Sequence, residues 1–441
     1  MKRSGIRESA ARRSGAGGGL STICVNLKPR MIDLDPSQVP LAQIDVSQAE
    51  LYENEAHWPL FARLRAEAPV HYCADSRFGP YWSVTRFNDI VELEKDHEIF
   101  SSEPNILLSD QPENFELQSS IAMDPPRHER ERGAVQGVVA PMNLKALEAV
   151  IRERVQLILD DLPLGETFDW VDRVSIELTT QMLVTLFDFP FEDRRKLTHW
   201  SDIAIATPEP TGSFKITEEQ RRIELGECFE TFAALWQERA DQTPTNDLIS
   251  MLAHAEGTRE LITRPMDFLG TLILLIVGGN DTTRNSISGG VVALNQFPAE
   301  YEKLRDNPAL VPNMVSEMIR WQTPIVHMRR RATRDTELGG QRIGKDEKVV
   351  MWYISGNRDA EVIRDPNNLI IDRERERHHL SFGFGIRRCM GNRVAEMQLK
   401  LTREEIMRRF RYVELVGKPV RLCSNFIRGY SVLPVRLHPL N

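Results

Sequence analysis

The chain lacks any long apolar run. Its longest, Leu272 to Val277, is far short of the roughly 20 residues that cross a bilayer, so no transmembrane helix is expected. Cysteine is scarce: Cys24, Cys73, Cys228, Cys389 and Cys423 are scattered, without a CxxC pair. That argues against a disulfide framework or a zinc site and fits a reducing compartment, the cytoplasm. Positive charge is not in excess either. Lys and Arg number 56 against 64 Asp and Glu, a net −8, so no attraction to nucleic acid is expected. No internal repeat and no interdomain linker is visible. Residues 1–30 carry Lys2, Arg3, Arg7, Arg12 and Arg13 before a glycine-rich run, but no apolar core of the kind a signal peptide needs. They are expected to form a disordered basic tail, with Met31 an alternative start and residues 31–441 a single domain, monomeric. With 41% hydrophobic and 27% charged residues, the composition is that of a globular protein able to bury a deep interior.

What the chain does have is one cysteine in unusual company. The stretch His379-Leu380-Ser381-Phe382-Gly383-Phe384-Gly385-Ile386-Arg387-Arg388-Cys389-Met390-Gly391 precedes a helix-forming run over residues 392–410. Its glycines let the backbone adopt positive φ or approach something bulky. Its arginines, and amides near a helix start, favour a thiolate over a thiol. Such a thiolate serves as a nucleophile or as a metal ligand, whereas an ordinary buried cysteine needs no such surroundings.

The rest reads as mainly α with small β-sheets. Residues 49–67 have the spacing of one helix, with Leu51, Trp58, Leu60, Phe61 and Leu64 on its apolar face. Residues 70–74 and 81–85 alternate as a hairpin. Residues 101–123 show no period, and a loop that long is usually functional or disordered. A helix then starts at the prolines Pro125 and Pro126 and places His128 and Arg132 on one face, a pair able to hold one carboxylate. Residues 144–239 are mostly helical, with breaks near Pro163, Pro190 and residues 208–212. The helix predicted over residues 265–295 is apolar on all sides and therefore expected deep in the core. It carries Gly278-Gly279-Asn280-Asp281-Thr282-Thr283. Two interior helix glycines cost roughly 1 kcal/mol each relative to alanine, a cost that makes sense if something flat lies against the backbone. Asp281 and Thr282 place an acid and a hydroxyl inside the core, where unpaired polar groups are expensive. Further on, Glu317 and Arg320 form an i,i+3 pair, Arg329-Arg330-Arg331 follows, and sheet-like segments run over residues 337–355.

Four signals thus stand in order: His128/Arg132, Gly278-Gly279-x-Asp281-Thr282, Glu317-x-x-Arg320, and Phe382-x-x-Gly385-x-Arg387-x-Cys389-x-Gly391. From about Leu51 to the C-terminus the chain resembles the cytochrome P-450 superfamily of heme-thiolate monooxygenases. The resemblance implies heme b, with Cys389 as the axial thiolate that pushes electron density toward the iron. It implies propionate contacts from His128, Arg132, Arg387 and Arg330 (or, one residue away, Arg329), since arginine binds a carboxylate in bidentate fashion. Gly278 and Gly279 match the point where the long helix crosses the heme face, and Phe382 and Gly391 belong to the ligand-loop signature. Asp281 and Thr282 match the acid–alcohol pair that supplies protons during oxygen activation. Glu317 and Arg320 match a core ion pair completed by Arg373, or by Arg375 close by.

Within the superfamily, the strings around Asp281 and Arg320, Val350-Met351-Trp352-Tyr353 and Asn425-Phe426-Ile427-Arg428-Gly429-Tyr430 look like the soluble bacterial alkane ω-hydroxylase branch. That implies oxidation of the terminal methyl of medium-chain alkanes or fatty acids. Candidate walls of the required narrow channel are Leu275, Gly279, Ile325, Val326, Met328, Phe426 and Ile427, with residues 106–108. The chain has no flavin or iron–sulfur motif, so the resemblance implies electrons from a ferredoxin and its NAD(P)H-dependent reductase, with O2 as co-substrate. Arg127, Arg130, Arg388 and Arg393 are a candidate docking patch. A terpenoid or steroid substrate, or a non-catalytic heme-thiolate sensor, is the alternative.

Overall fold

The computed structural model describes residues 30–206, 216–374 and 377–440. The basic tail, the break near residues 208–212 and Arg375 lie outside the described residues. In chain order the helices are α1 (Ala49–Glu53), α2 (His57–Glu67), α3 (Phe87–Lys95), α4 (Arg127–Val135), α5 (Pro141–Asp160), α6 (Glu177–Phe187) and α7 (Arg194–Ile205). They continue with α8 (Glu218–Ala240), α9 (Leu248–His254), α10 (Pro265–Gln296), α11 (Pro298–Asp306), α12 (Val311–Gln322), α13 (Tyr353–Gly356) and α14 (Asn392–Arg409). The strands are β1 (Val70–Cys73), β2 (Tyr81–Val84), β3 (Phe100–Ser101), β4 (Thr167–Asp169), β5 (Met328–Ala332), β6 (Thr336–Leu338), β7 (Gln341–Ile343), β8 (Lys348–Met351), β9 (Phe410–Leu415), β10 (Val420–Arg421), β11 (Tyr430–Val432) and β12 (Pro434–Pro439).

The fold is mainly α with small sheets, as expected. A five-stranded sheet runs β1-β2-β8-β5-β3, and a three-stranded one β4-β12-β9. The β1–β2 hairpin pairs Val70 with Val84, and β2 continues in parallel with β8. Two expectations need correction and one gap is filled. The helix expected over residues 49–67 is two helices, because Glu55 takes a left-handed φ of 55° between α1 and α2. The triple arginine, left without a secondary structure in the sequence, lies in strand β5 between β3 and β8. The long helix α10 is not buried all round. Leu272 and Ile276 are buried in a core cluster, whereas Leu275 and Val277 pack only partly against it and, with Gly278, keep surface open to a cavity. An apolar circumference therefore reflects two apolar surroundings, a core on one side and a cavity on the other.

Local chemistry explains how α10 and its neighbours are aimed. Pro265 stands at the first turn of α10, where its missing N–H costs nothing. The start of α8 is fixed by a capping box, with Thr217 Oγ1 accepting from Gln220 N at 3.1 Å and Gln220 Oε1 accepting from Thr217 N at 3.1 Å. α12 ends at Thr323, whose φ of 45° and following Pro324 turn the chain toward Ile325. Among the described residues, no single helix is long and apolar enough to cross a membrane.

Candidate active site: a cavity between the cysteine loop and the long helix

One cavity of about 600 Å³ lies between α10 and the cysteine loop, walled by segments from α3, the 101–123 loop, α4, α6, α7, α8, β5 and the turn at Phe426. Phe382, Gly383, Arg387, Cys389, Met390 and Gly391 form its floor; Gly278, Gly279, Thr282, Thr283 and Ser286 face it from α10.

The floor is fastened to the core from below. Cys389 N donates to Phe382 O at 2.8 Å, closing the loop on itself. Gly383 and Gly385 both have φ of 66°, and a Cβ on Gly385 would stand 2.6 Å from the carbonyl oxygen of Glu94. Leu380 N donates to Asn357 Oδ1 at 2.7 Å and Ser381 Oγ to Ile319 O at 2.9 Å. Those last anchors lead to the buried Glu317–Arg320 pair. Arg320 Nε and Nη2 grip Glu317 at 2.7 and 2.8 Å, and Arg320 Nη1 also donates to Asn357 O at 2.8 Å. Arg373 reaches the same carboxylate at 3.1 and 3.2 Å. The pair is thus an internal clamp, unlike an exposed i,i+3 pair.

Cys389 is open to the cavity that it lines but is enclosed by protein on its other sides. Burial raises its pKa, while the amides of Gly391 and Asn392 and the charges of Arg132 and Arg388 counteract that rise. The two α10 glycines separate in meaning. A Cβ on Gly278 would meet nothing within 4 Å, so helix backbone lies bare to the cavity there; on Gly279 it would stand 2.7 Å from Leu183 Cδ2. Gly278 leaves room, and Gly279 lets α6 pack close.

Several expected contacts stand behind the wall instead of in it. Arg132 and Arg387 line the cavity, but His128 and Arg330 do not. His128 is held with Nδ1 2.8 Å from Ser120 O and Nε2 3.3 Å from Ile386 O. Arg330 lies one layer back, its Nη2 3.6 Å from Glu94 Oε1 and its Nη1 donating to Arg329 O at 2.8 Å. Arg329 instead binds Asp110 at 2.6 Å. Of the apolar candidates, Leu275, Ile325, Met328 and Phe426 line the cavity, as do residues 106–108, whereas Val326 and Ile427 do not. Along an extended segment successive side chains take opposite faces, so Val326 falls into the cluster with Trp352 and Leu108. Ile427 pairs with Ile325 across an antiparallel bridge and leaves the wall to its neighbour Phe426.

Asp281 also faces away. It is fully buried and ion-paired to Arg284 Nη2 at 2.5 Å; Ser201 Oγ donates to its Oδ2, and Arg284 Nη2 also bonds Asp202 Oδ1 at 2.6 Å. Burial raises its pKa; Arg284 opposes this, and the Asp202 charge adds to it. Thr282 faces the cavity, its hydroxyl donating to Gly278 O at 2.9 Å.

The sequence reading missed Glu94, Tyr353, Asp124 and the Ser201–Asp202–Arg284 group. Arg284 was legible in principle, being three residues after Asp281 as Arg320 is after Glu317. The others come from remote elements and carry no local signal. Tyr353 OH donates to Glu94 Oε1 at 2.6 Å, and Arg387 Nη2 binds Asp124 Oδ1 at 2.5 Å.

Comparison with known proteins decides the family. Residues 90–434 match the family profile described as cytochrome P-450. The chain belongs to the cytochrome P-450 family. The linalool 8-monooxygenase of Pseudomonas putida is 35% identical over 90% of this chain and 99% of its own length. The methyl-branched lipid omega-hydroxylase of Mycobacterium tuberculosis is 30% identical over 95% and 99%. Among solved structures, cytochrome P-450-153 from Novosphingobium aromaticivorans superposes with a TM-score of 0.83 at 44% identity, covering 89% of this chain and 99% of that one. The protein is therefore a cytochrome P-450 monooxygenase, and the family's cofactor is heme b. The residues present fit that group. An accessible thiol, bare helix backbone at Gly278 and two arginines line one cavity, and the buried Nε of Arg387 has no partner. Such a set suits a flat group that carries a metal and carboxylates.

Proposed function

We propose that this cytochrome P-450 hydroxylates the terminal methyl of medium-chain alkanes or fatty acids in the cytoplasm, using O2 and electrons from a ferredoxin, with residues 31–441 acting as one catalytic unit. The observation that carries it is the wall. Leu275, Ile325, Met328, Phe426 and the apolar residues 106–108 surround a cavity bounded by Cys389 and Gly278. A terminal C–H bond is harder to break than its internal neighbours, so selectivity for it must come from positioning. Two relatives bear names that describe hydroxylation at numbered or terminal positions of aliphatic molecules.

In this reading Cys389 holds the heme iron, and Arg132 and Arg387 hold its carboxylates with Arg330 and His128 in support. When bound, the heme supplies oxygen activation. Thr282 presents a hydroxyl at the cavity, and Asp281, one residue behind, is a carboxyl that burial keeps prone to hold a proton. Arg388 and Arg393, in and just after the cysteine loop, and Arg130 on α4 are exposed and would receive an acidic partner; Arg127 is partly neutralised by Glu131 and Asp267.

Incubation of octane or decanoic acid with ferredoxin, reductase and NADH is expected to yield terminal alcohols. Only internal alcohols, or no turnover alongside efficient oxidation of a terpene, would sink the terminal assignment and favour the terpenoid reading that the 35% identity to a linalool monooxygenase supports. Cys389→Ser is expected to abolish the thiolate-type band of the reduced, carbon monoxide-treated protein. Thr282→Ala is expected to uncouple NADH consumption from product; an unchanged yield would count against the relay, whereas no product from the wild-type protein with any substrate would favour a non-catalytic sensor.

A further inference from the structure

His327 is the one imidazole among the residues lining the cavity, and it is 1% exposed. Its Nδ1 lies 2.9 Å from Asn425 O. A carbonyl oxygen only accepts, so Nδ1 carries the proton and donates. Burial lowers the pKa of the ring to about 4, so at neutral pH the ring is uncharged and Nε2 bears a lone pair. That Nε2 is buried and has no hydrogen-bond partner.

The tautomer is fixed by its surroundings. Asn425 is itself held by its Nδ2 donating to Ser47 O at 2.7 Å, and Phe426 O accepts from Val326 N at 2.8 Å. The ring is wedged between Trp352, 5.0 Å away between centroids, and Phe426, 5.6 Å away. A rigidly held acceptor with nothing to accept from is uncommon in a buried site. Its neighbours in the wall, Ile325, Met328 and Phe426, offer no donor of their own.

We propose that His327 is a specificity-determining residue whose Nε2 accepts a hydrogen bond from a hydroxyl on the substrate. The proposal rests on this cavity being the substrate site. In substrate class it goes beyond alkanes and ionised fatty acids, neither of which carries a donor, to an aliphatic chain bearing a hydroxyl. A donor bound there satisfies the orphaned acceptor, whereas a hydrocarbon leaves it unpaired, an asymmetry that makes polar sites discriminating.

The test compares three probes of matched length on the heme-loaded enzyme by spectral titration: 1-octanol, which donates; methyl heptyl ether, which only accepts; and nonane, which does neither. The wild-type protein is expected to bind the alcohol about 10-fold tighter than the ether. His327→Phe is expected to bring that ratio near one while leaving nonane affinity within about 3-fold, and His327→Gln, which keeps an acceptor, to retain part of it. No alcohol preference in the wild type, or a ratio unchanged in His327→Phe, overturns the proposal. Were the phenylalanine variant to fail to load heme, the wild-type and glutamine ratios still decide. Product regiochemistry is read separately. Terminal hydroxylation of octane without alcohol preference defeats this proposal alone, and internal hydroxylation with alcohol preference defeats the terminal assignment alone.

Discussion

Glu317–Arg320 on α12 and Asp281–Arg284 on α10 share a three-residue spacing and complete burial of the carboxylate, yet their surroundings differ. Burial works against a charge on Glu317, but hydrogen bonds from Arg320 and Arg373 outweigh it and hold its pKa below the usual carboxylate range. The guanidinium is satisfied as well, by the carbonyls of Asn357, Pro366 and Asn368 at 2.7–2.9 Å. Asp281 has one arginine, shared with Asp202, and burial lifts its pKa. The first pair is a clamp under the cysteine loop. The second is an acid that burial makes harder to ionise, one residue before the cavity-facing Thr282. The same sequence spacing therefore leaves an acid easier or harder to ionise according to how many donors the fold brings to it.

Mutation of the two arginines should separate the pairs most clearly. Arg320→Met leaves a buried carboxylate short of its main partner and is expected to cost about 3–5 kcal/mol, read as a large fall in the midpoint of chemical unfolding. Arg284→Met is expected to cost less, about 1–3 kcal/mol, because Asp281 escapes the penalty by taking a proton. Equal losses in the two variants would erase the distinction.

Acid titration sharpens it. Glu317 has a depressed folded pKa, so its contribution is full above the ordinary value of 4.5 and is lost as pH falls through the folded value. Asp281 has a raised one, so its contribution is present below the ordinary value of 3.8 and is lost as pH rises through the folded value. Unfolding free energy against pH should thus show a shallower acid limb in Glu317→Gln and a flatter alkaline side of that window in Asp281→Asn. At neutral pH, Asp281→Asn is expected to change stability by no more than about 1 kcal/mol while slowing product formation roughly 100-fold, measured as product formed per minute per heme. The smallest effect concerns the glycines beside it. Gly278→Ala is expected to gain up to about 1 kcal/mol of helix stability while weakening heme binding, whereas Gly279→Ala, against Leu183, is expected to lose about 1–3 kcal/mol. Thermal melting of apo and heme-loaded forms distinguishes the two.

Much of the site was legible because its chemistry is local. The Gly-rich cysteine loop and the sequence around Asp281 and Thr282 require particular residue types at fixed spacing, and the structure brings Cys389, Arg132, Arg387, Gly278 and Thr282 to one cavity. The break between α1 and α2 was invisible, because Glu55 gives no glycine-like signal for its positive φ. Val326 and Ile427 were assigned to the wall because both are apolar, and apolarity alone does not say which face of an extended segment points inward.

Sequence by itself thus determined the family, the mainly helical class, the cysteine at the cavity floor and the acid–alcohol step on the long helix, since each is a pattern written over a few adjacent residues. Tertiary structure alone decided which polar groups are satisfied. It turned Asp281 toward Arg284 and Ser201 and placed Glu94 beside Arg330. It also left Nε2 of His327 without a partner among the lining residues. Those partners come from segments tens to hundreds of residues apart, and burial, which sets both their cost and their protonation, exists only once the chain has closed around them.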